Sequence, residues 1–256
     1  MEGKRVKRAL VPGVVALSFL CSSWAAKPAR ACGASAGGAA GLSGCSLEAH
    51  EEATRPKLRL GLAGAFTSTV LSFSPGSERV TQERWVYLAQ VERRPLPRTA
   101  VQFAAGGLVG GELVARGQRY TLSPGPVLGL AASQRVVDPD GAVPFVLVGA
   151  QLTALSSRSS GPGPNPESAT YAALDVRVGG TVGWVLSRSL APYTYARVFG
   201  GPIAWRLDGQ ALLGTDKYKY QVGAGLSVSV LRRLDFFAEG TALGERGVSA
   251  GAGVLF

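Results

Sequence analysis

From Lys217 to Val230 the chain alternates without a break. Even positions read Tyr218, Tyr220, Val222, Ala224, Leu226, Val228 and Val230, and odd positions Lys217, Lys219, Gln221, Gly223, Gly225, Ser227 and Ser229. A period of two sends successive side chains to opposite faces of a strand, so one face is apolar and the other small and polar. Residues 171–186 repeat the pattern, with Ala172, Leu174, Val176, Val178, Val182, Trp184 and Leu186 on one face. Tyr171, Asp175, Arg177, Gly179 and Thr181 share the other. Weaker versions run through 58–70, 83–92, 99–110, 127–136, 144–155, 192–201, 234–243 and 247–256. That makes ten strands, most near the roughly nine to eleven residues that a tilted membrane strand needs. Pro124, Pro126 and Pro202 are assigned to strand ends, because proline cannot donate to a ladder.

The connections alternate in length. ERRPLPR, VDPDG, SRSLA and LRR are short, whereas SFSPGSERVTQ, GGELVARGQ, SSRSSGPGPNPESA and WRLDGQALLGTD are longer, with only GER brief on that side. Short turns at one rim and long loops at the other suit a membrane barrel whose two chain ends lie at the short-turn rim, in the periplasm. Trp85, Tyr87, Tyr171, Trp184, Trp205, Tyr218 and Tyr220 fall near strand ends and are expected to form interfacial girdles. A soluble β-sandwich also alternates, but it turns charges outward on every strand. Here the polar face is rich in Gly, Ser and Thr, which suits a crowded lumen. The expected fold is all-β: a transmembrane antiparallel barrel over residues 57–256, with ten strands and eight as the nearest alternative. A soluble periplasmic β-protein is the structural rival.

The beginning of the chain suggests export. Residues 1–8 carry four basic side chains, residues 9–20 are uncharged and mostly apolar, and Ala29-Arg30-Ala31 offers a cleavage site. Twelve residues at about 1.5 Å each fall short of roughly 30 Å of hydrocarbon, so residues 1–31 read as a signal peptide rather than an anchor. Six of the 27 basic and one of the 17 acidic side chains lie there, which leaves +5 rather than +10 on the remainder. Nucleic-acid binding thereby loses its main support. Cys32 and Cys45 remain in an oxidising compartment, and a disulfide closing their Gly-rich loop is expected within a periplasmic segment at 32–56. Leu42-Ser43-Gly44-Cys45 looks like a lipoprotein acylation site but stands too far from the apolar stretch.

The last strand alternates through Val248, Ala250, Ala252 and Val254 to a terminal Phe256. In this the chain resembles the outer-membrane β-barrel proteins of Gram-negative bacteria. The resemblance covers residues 57–256 and is one of architecture. It implies outer-membrane lipid and the barrel-insertion machinery as partners, with Val254 and Phe256 as the assembly signal. Val254 stands where that family often has an aromatic. Proteases of such barrels need a histidine beside carboxylates, and their phospholipases and deacylases a Ser–His pair. The single histidine, His50, precedes the barrel, so those hydrolytic routes are not expected. Its neighbours Glu48, Glu51 and Glu52 read as a solvated linker rather than a metal site, and no cofactor is expected.

Arg59, Gln102, Gln151, Asp175, Arg177, Arg197, Gln221, Asp235 and Glu239 are assigned to the lumen. Asp175 and Arg177 share a face, and Arg197 on the next strand, with Glu239, could join them. Two readings stand. The cluster is either a charged constriction of a small pore for ions or polar solutes, or a salt-bridged plug in a barrel that acts as a structural or surface-binding scaffold. Large side chains at Tyr193, Tyr195 and Phe237 beside Gly223 and Gly225 favour the plug.

Overall fold

The computed structural model describes residues 58–256 except 75–77, 97, 141, 163–167, 187–188, 208–209 and 231–232; the side chains of Glu78 and Leu207 are also left aside. The expected signal peptide at residues 1–31 and the 32–56 segment with Cys32, Cys45 and His50 lie outside the described residues.

All regular structure among the described residues is strand: β1 (Leu58–Ser74), β2 (Glu78–Leu96), β3 (Thr99–Ala115), β4 (Gln118–Leu122), β5 (Gly125–Val137), β6 (Phe145–Ser160) and β7 (Ser168–Gly183). These are followed by β8 (Leu190–Gly200), β9 (Ile203–Leu207), β10 (Gln210–Asp216), β11 (Tyr220–Val230), β12 (Leu234–Gly244) and β13 (Arg246–Leu255). Ten of them pair antiparallel in a ring, β1–β2–β3–β5–β6–β7–β8–β11–β12–β13. The ring closes between β13 and β1, from Arg59 opposite Leu255 to Ser68 opposite Arg246. These ten correspond to the ten alternating segments of the sequence. Closure matters because an open edge would leave a row of unpaired backbone groups.

Beyond this ring the sheet continues as a narrower one. Strand β4 follows β3 through a turn at Arg116 and Gly117, both at positive φ, and pairs with β6. On the far side β9 pairs with β7 and with β10, and β10 pairs with β1. The second ring is therefore β1–β2–β3–β4–β6–β7–β9–β10, with eight strands. Only the β12–β13 hairpin stops short. Above its tip β10 joins β1 directly, with Leu71 opposite Asp216. Gly244 makes the tip possible: its φ is +78°, and a Cβ there would lie 1.6 Å from the Tyr220 carbonyl oxygen. The segments expected as loops, GGELVARGQ and WRLDGQALLGTD, thus hold the end of β3, the start of β4, the end of β9 and all of β10. They are short alternating runs, and their ladders form only because the longer strands extend to meet them.

The outer surface changes character where the ring narrows. On β1 the outward positions Leu58, Leu60, Leu62 and Phe66 give way to Ser68, Val70, Ser72 and Ser74. On β2, Val91, Ala89, Tyr87 and Trp85 give way to Glu83, Thr81 and Arg79, and on β6 Val146 to Ala154 give way to Ser156, Arg158 and Ser160. The interior changes in the opposite sense on β1, where Arg59, Thr67 and Thr69 are succeeded by Leu71 and Phe73. The eight-stranded ring is filled by an apolar cluster that includes Leu71, Phe73, Val80, Leu113, Leu122, Tyr171, Ile203 and Trp205. Eight strands enclose a space that side chains can just fill. That cluster continues down the β2–β3–β5 wall through Val86, Leu88, Leu108 and Val127.

Candidate functional site: the packed lumen

The charged side chains of the lumen lie in three levels. Nearest the chain ends, Arg59 on β1 reaches Glu92 on β2 at 3.9 Å and Asp235 on β12 at 3.5 Å. Arg94 adds a 3.0 Å contact to Glu92, and the Ser229 hydroxyl donates to Asp235. In the middle, Tyr193 donates to Glu239 at 2.8 Å, and the Tyr195 and Thr241 hydroxyls are 2.7 Å apart. A Cβ at Gly223 would lie 2.4 Å from Tyr195 Oη, and one at Gly225 2.6 Å from Tyr193 Cζ, so these two glycines make room for the tyrosines.

The third level lies under the narrowing and centres on Arg177. Its Nε donates to Asp175 Oδ2 at 2.6 Å, while Nη1 and Nη2 donate to the two oxygens of Glu245 at 3.0 Å each. Nη1 also reaches Gln221 Oε1 at 3.3 Å, and the guanidinium lies 4.8 Å from the Phe199 ring centroid. Arg84 approaches Glu245 at 3.9 Å and donates to Thr67 at 3.1 Å. Arg177 and Glu245 are each 1 % exposed. A fork-to-fork pair of this kind is directional and strong, and two charges this deeply buried require it. Above the network, Tyr171 accepts a hydrogen bond from Gln82 and Trp205 donates to Ser159, both at 2.8 Å, inside the apolar cluster.

The residues assigned to the lumen from the sequence all lie inside the ring. Asp175 and Arg177 meet. Arg197 does not join them: it stacks over Tyr195, 4.1 Å from the ring centroid, and both its terminal nitrogens are buried without a hydrogen-bond partner among the described residues. Glu239 belongs to the tyrosine level instead. Glu245, the second carboxylate of the cluster, lay in what read as a brief external turn. The β10–β1 pairing roofs that turn and converts it into lumen. Arg84 and Glu92 were also missed, although both share the inward parity of Gln90.

Among the girdle aromatics, Trp85, Tyr87, Trp184, Tyr218 and Tyr220 are exposed on the outer surface. Trp205 corrects the sequence reading: it is 1 % exposed and points inward, 5.7 Å from Phe73 and 5.1 Å from Tyr120 between ring centroids. Tyr171 is likewise enclosed. Both lie near the end of an expected strand, but Tyr171 is on the part of β7 that enters the upper ring and Trp205 faces it from the short strand β9. Val254 and Phe256 face outward on β13 and beyond its end, and the Phe256 backbone donates to the Leu58 carbonyl. Among the described residues no group of three or more His, Cys, Asp and Glu is arranged to hold a metal ion.

A closed antiparallel ring with an apolar exterior and a polar, ion-paired lumen defines the class: the chain has the architecture of outer-membrane β-barrels. A solved structure supports this fold. The outer membrane protease OmpT of Escherichia coli is similar at a TM-score of 0.51 and 10 % identity, over 79 % of this chain and 98 % of that one. The translocator domain of the autotransporter NalP of Neisseria meningitidis gives a TM-score of 0.47 at 10 % identity, over 80 % and 90 % of the two chains. No protein-family model and no curated protein matches the chain.

Proposed function

We propose that the chain is a non-catalytic outer-membrane barrel with a filled lumen, a rigid scaffold that carries its eight-stranded extension outside the membrane. The observation that supports this is the change in the outer surface along single strands. On β1 and β6 the outward apolar run spans eight residue steps, as from Leu58 to Phe66. At about 3.3 Å per residue and a tilt of about 40°, that is roughly 20 Å of height before rim aromatics are counted, near the ~25 Å band of such barrels. A water-soluble barrel would have no reason to expose Leu62, Val178 and Val198 in that band and Ser and Arg above it.

Leu58 and Phe256 meet at the rim of the short turns, which is the periplasmic side in this reading. The outer end is then the apolar-filled ring. An ion entering there would meet Leu71, Phe73, Leu113 and Trp205, and below them the Arg177 network. Both levels oppose conduction, so the scaffold reading is preferred to the pore. The catalytic reading draws no support from the barrel, because His50 and all three cysteines precede it.

Planar-bilayer conductance tests the proposal, measured on the mature chain and on a form without residues 32–56. Silence from both, together with a band that migrates faster before boiling than after, is the expected result. Discrete steps from both forms would overturn the filled lumen. Identical migration with no vesicle insertion would overturn the membrane reading.

A further inference from the structure

The floor of the eight-stranded ring carries one carboxylate more than its cations answer. Asp175, Asp216 and Glu245 stand there against Arg84 and Arg177. Arg177 bonds Asp175 Oδ2 and both oxygens of Glu245, and Arg84 approaches Glu245. Asp216 is 8 % exposed, and among the described residues it has neither a hydrogen bond nor an ion pair. Asp175 Oδ1 is likewise buried without a hydrogen-bond partner.

The ladder brings these two aspartates into one row. Ala173 of β7 lies opposite Ile203 of β9, which lies opposite Gly214 of β10. Two residues further in the same register, Asp175, Gly201 and Asp216 stand in line on the inner face, about 10 Å from the first strand to the last. Gly201 puts no side chain between them. Its backbone comes so close to β7 that a Cβ would lie 1.8 Å from the Leu174 carbonyl oxygen. From the other side, Leu71 of β1 pairs with Asp216, so Thr69 is its diagonal neighbour on the same face. Thr69 is 4 % exposed, and its Oγ1 has no hydrogen-bond partner. The Tyr171 hydroxyl senses the charges of both aspartates.

A buried charge without a counter-ion is costly, the more so beside others of its own sign. We propose that Asp175 and Asp216 bind a singly charged alkali cation across Gly201, with Thr69 Oγ1 as a further oxygen ligand. Oxygen donors of this kind suit a hard cation, and one positive charge balances the excess of one carboxylate. The ion ties β10 to β7 where the narrower ring closes. A proton is the competitor. Asp216 lies above the apolar band, and burial first, then the charges of Asp175 and Glu245, push its carboxyl up to about 6 against the pull of Arg84 and Arg177. Cation binding therefore belongs to pH above that value.

The test uses the full mature chain folded in a neutral detergent and unfolded by urea, in sodium chloride or N-methylglucamine chloride at equal ionic strength. At about pH 8, each tenfold rise in sodium above half-saturation lowers the unfolding constant about tenfold. At about pH 5, with Asp216 protonated, that dependence is lost. Asp216→Asn abolishes it at the higher pH, whereas Glu112→Gln, an exposed carboxylate on the outer surface, keeps it. Sodium-23 relaxation of the wild type, enhanced at the higher pH and not at the lower, reads the site without any variant. A wild type indifferent to sodium in both measurements would leave Asp216 with a proton only and overturn the inference. A sodium effect that persists in Asp216→Asn would overturn it too, as would calcium acting equally at a tenth of the concentration.

Discussion

Glu245→Gln is the substitution that most directly examines the packed lumen. It keeps the side-chain volume and removes one charge from a pair in which both partners are 1 % exposed. Orphaning one member of a buried ion pair costs about 3–5 kcal/mol. Arg177 keeps Asp175 at 2.6 Å and Gln221 at 3.3 Å, so it is not wholly orphaned. The new amide also turns a donor toward the guanidinium, and Arg84 loses its 3.9 Å partner. We expect a loss near the lower bound, about 3 kcal/mol. Reversible urea unfolding of the vesicle-inserted protein, followed by tryptophan fluorescence, measures it. A double-mutant cycle with Arg177→Met isolates the pair and should give a coupling of about 2 kcal/mol. Additivity within about 0.5 kcal/mol would refute the network, because two residues joined by a bidentate pair cannot act independently.

Three further outcomes are expected. Trp205→Ala removes the indole that packs on Phe73 and Tyr120 and donates to Ser159, at a cost of about 3–5 kcal/mol. Amide exchange should then rise in β4, β9 and β10 while the lower ring stays protected, and uniform exchange would argue against a separately cored upper ring. At the short-turn rim, partial burial would raise the Asp138 carboxyl, but the hydrogen bond from Arg98 at 2.5 Å and the Arg135 charge hold it below its ordinary 3.8. A depressed carboxyl adds stability above its unfolded value and loses it as pH falls through the lowered one. Arg98→Gln should move the Asp138 titration upward, read from its carboxyl carbon shift, and should cost under about 1 kcal/mol because Arg98 is 59 % exposed. Replacing Phe256 with Ser should slow assembly in cells without changing the stability of refolded protein, and an unchanged assembly rate would remove its role as a signal.

How much of this was legible beforehand depends on the distance between the residues concerned. The alternation of Lys217 to Val230 is a local property, and each of the ten strands of the main ring carries some version of it. The side that a residue takes within its own strand was equally readable, which is why Asp175 and Arg177 were placed together in the lumen. Glu245 was not, since nothing in Gly-Glu-Arg tells that the β10–β1 ladder closes over it. Trp205 and Tyr171 failed for a related reason. An aromatic near a strand end suits an interface, unless the strand goes on and turns that position toward a second core.

The sequence alone therefore determined the period and the apolar character of one face, because these depend on neighbours along the chain. Only the tertiary structure decided that the sheet narrows from ten strands to eight, and with it which face is interior at each height. That choice rests on pairings between residues more than a hundred positions apart, such as Leu71 with Asp216, where backbone hydrogen bonds and side-chain volume act across the ring.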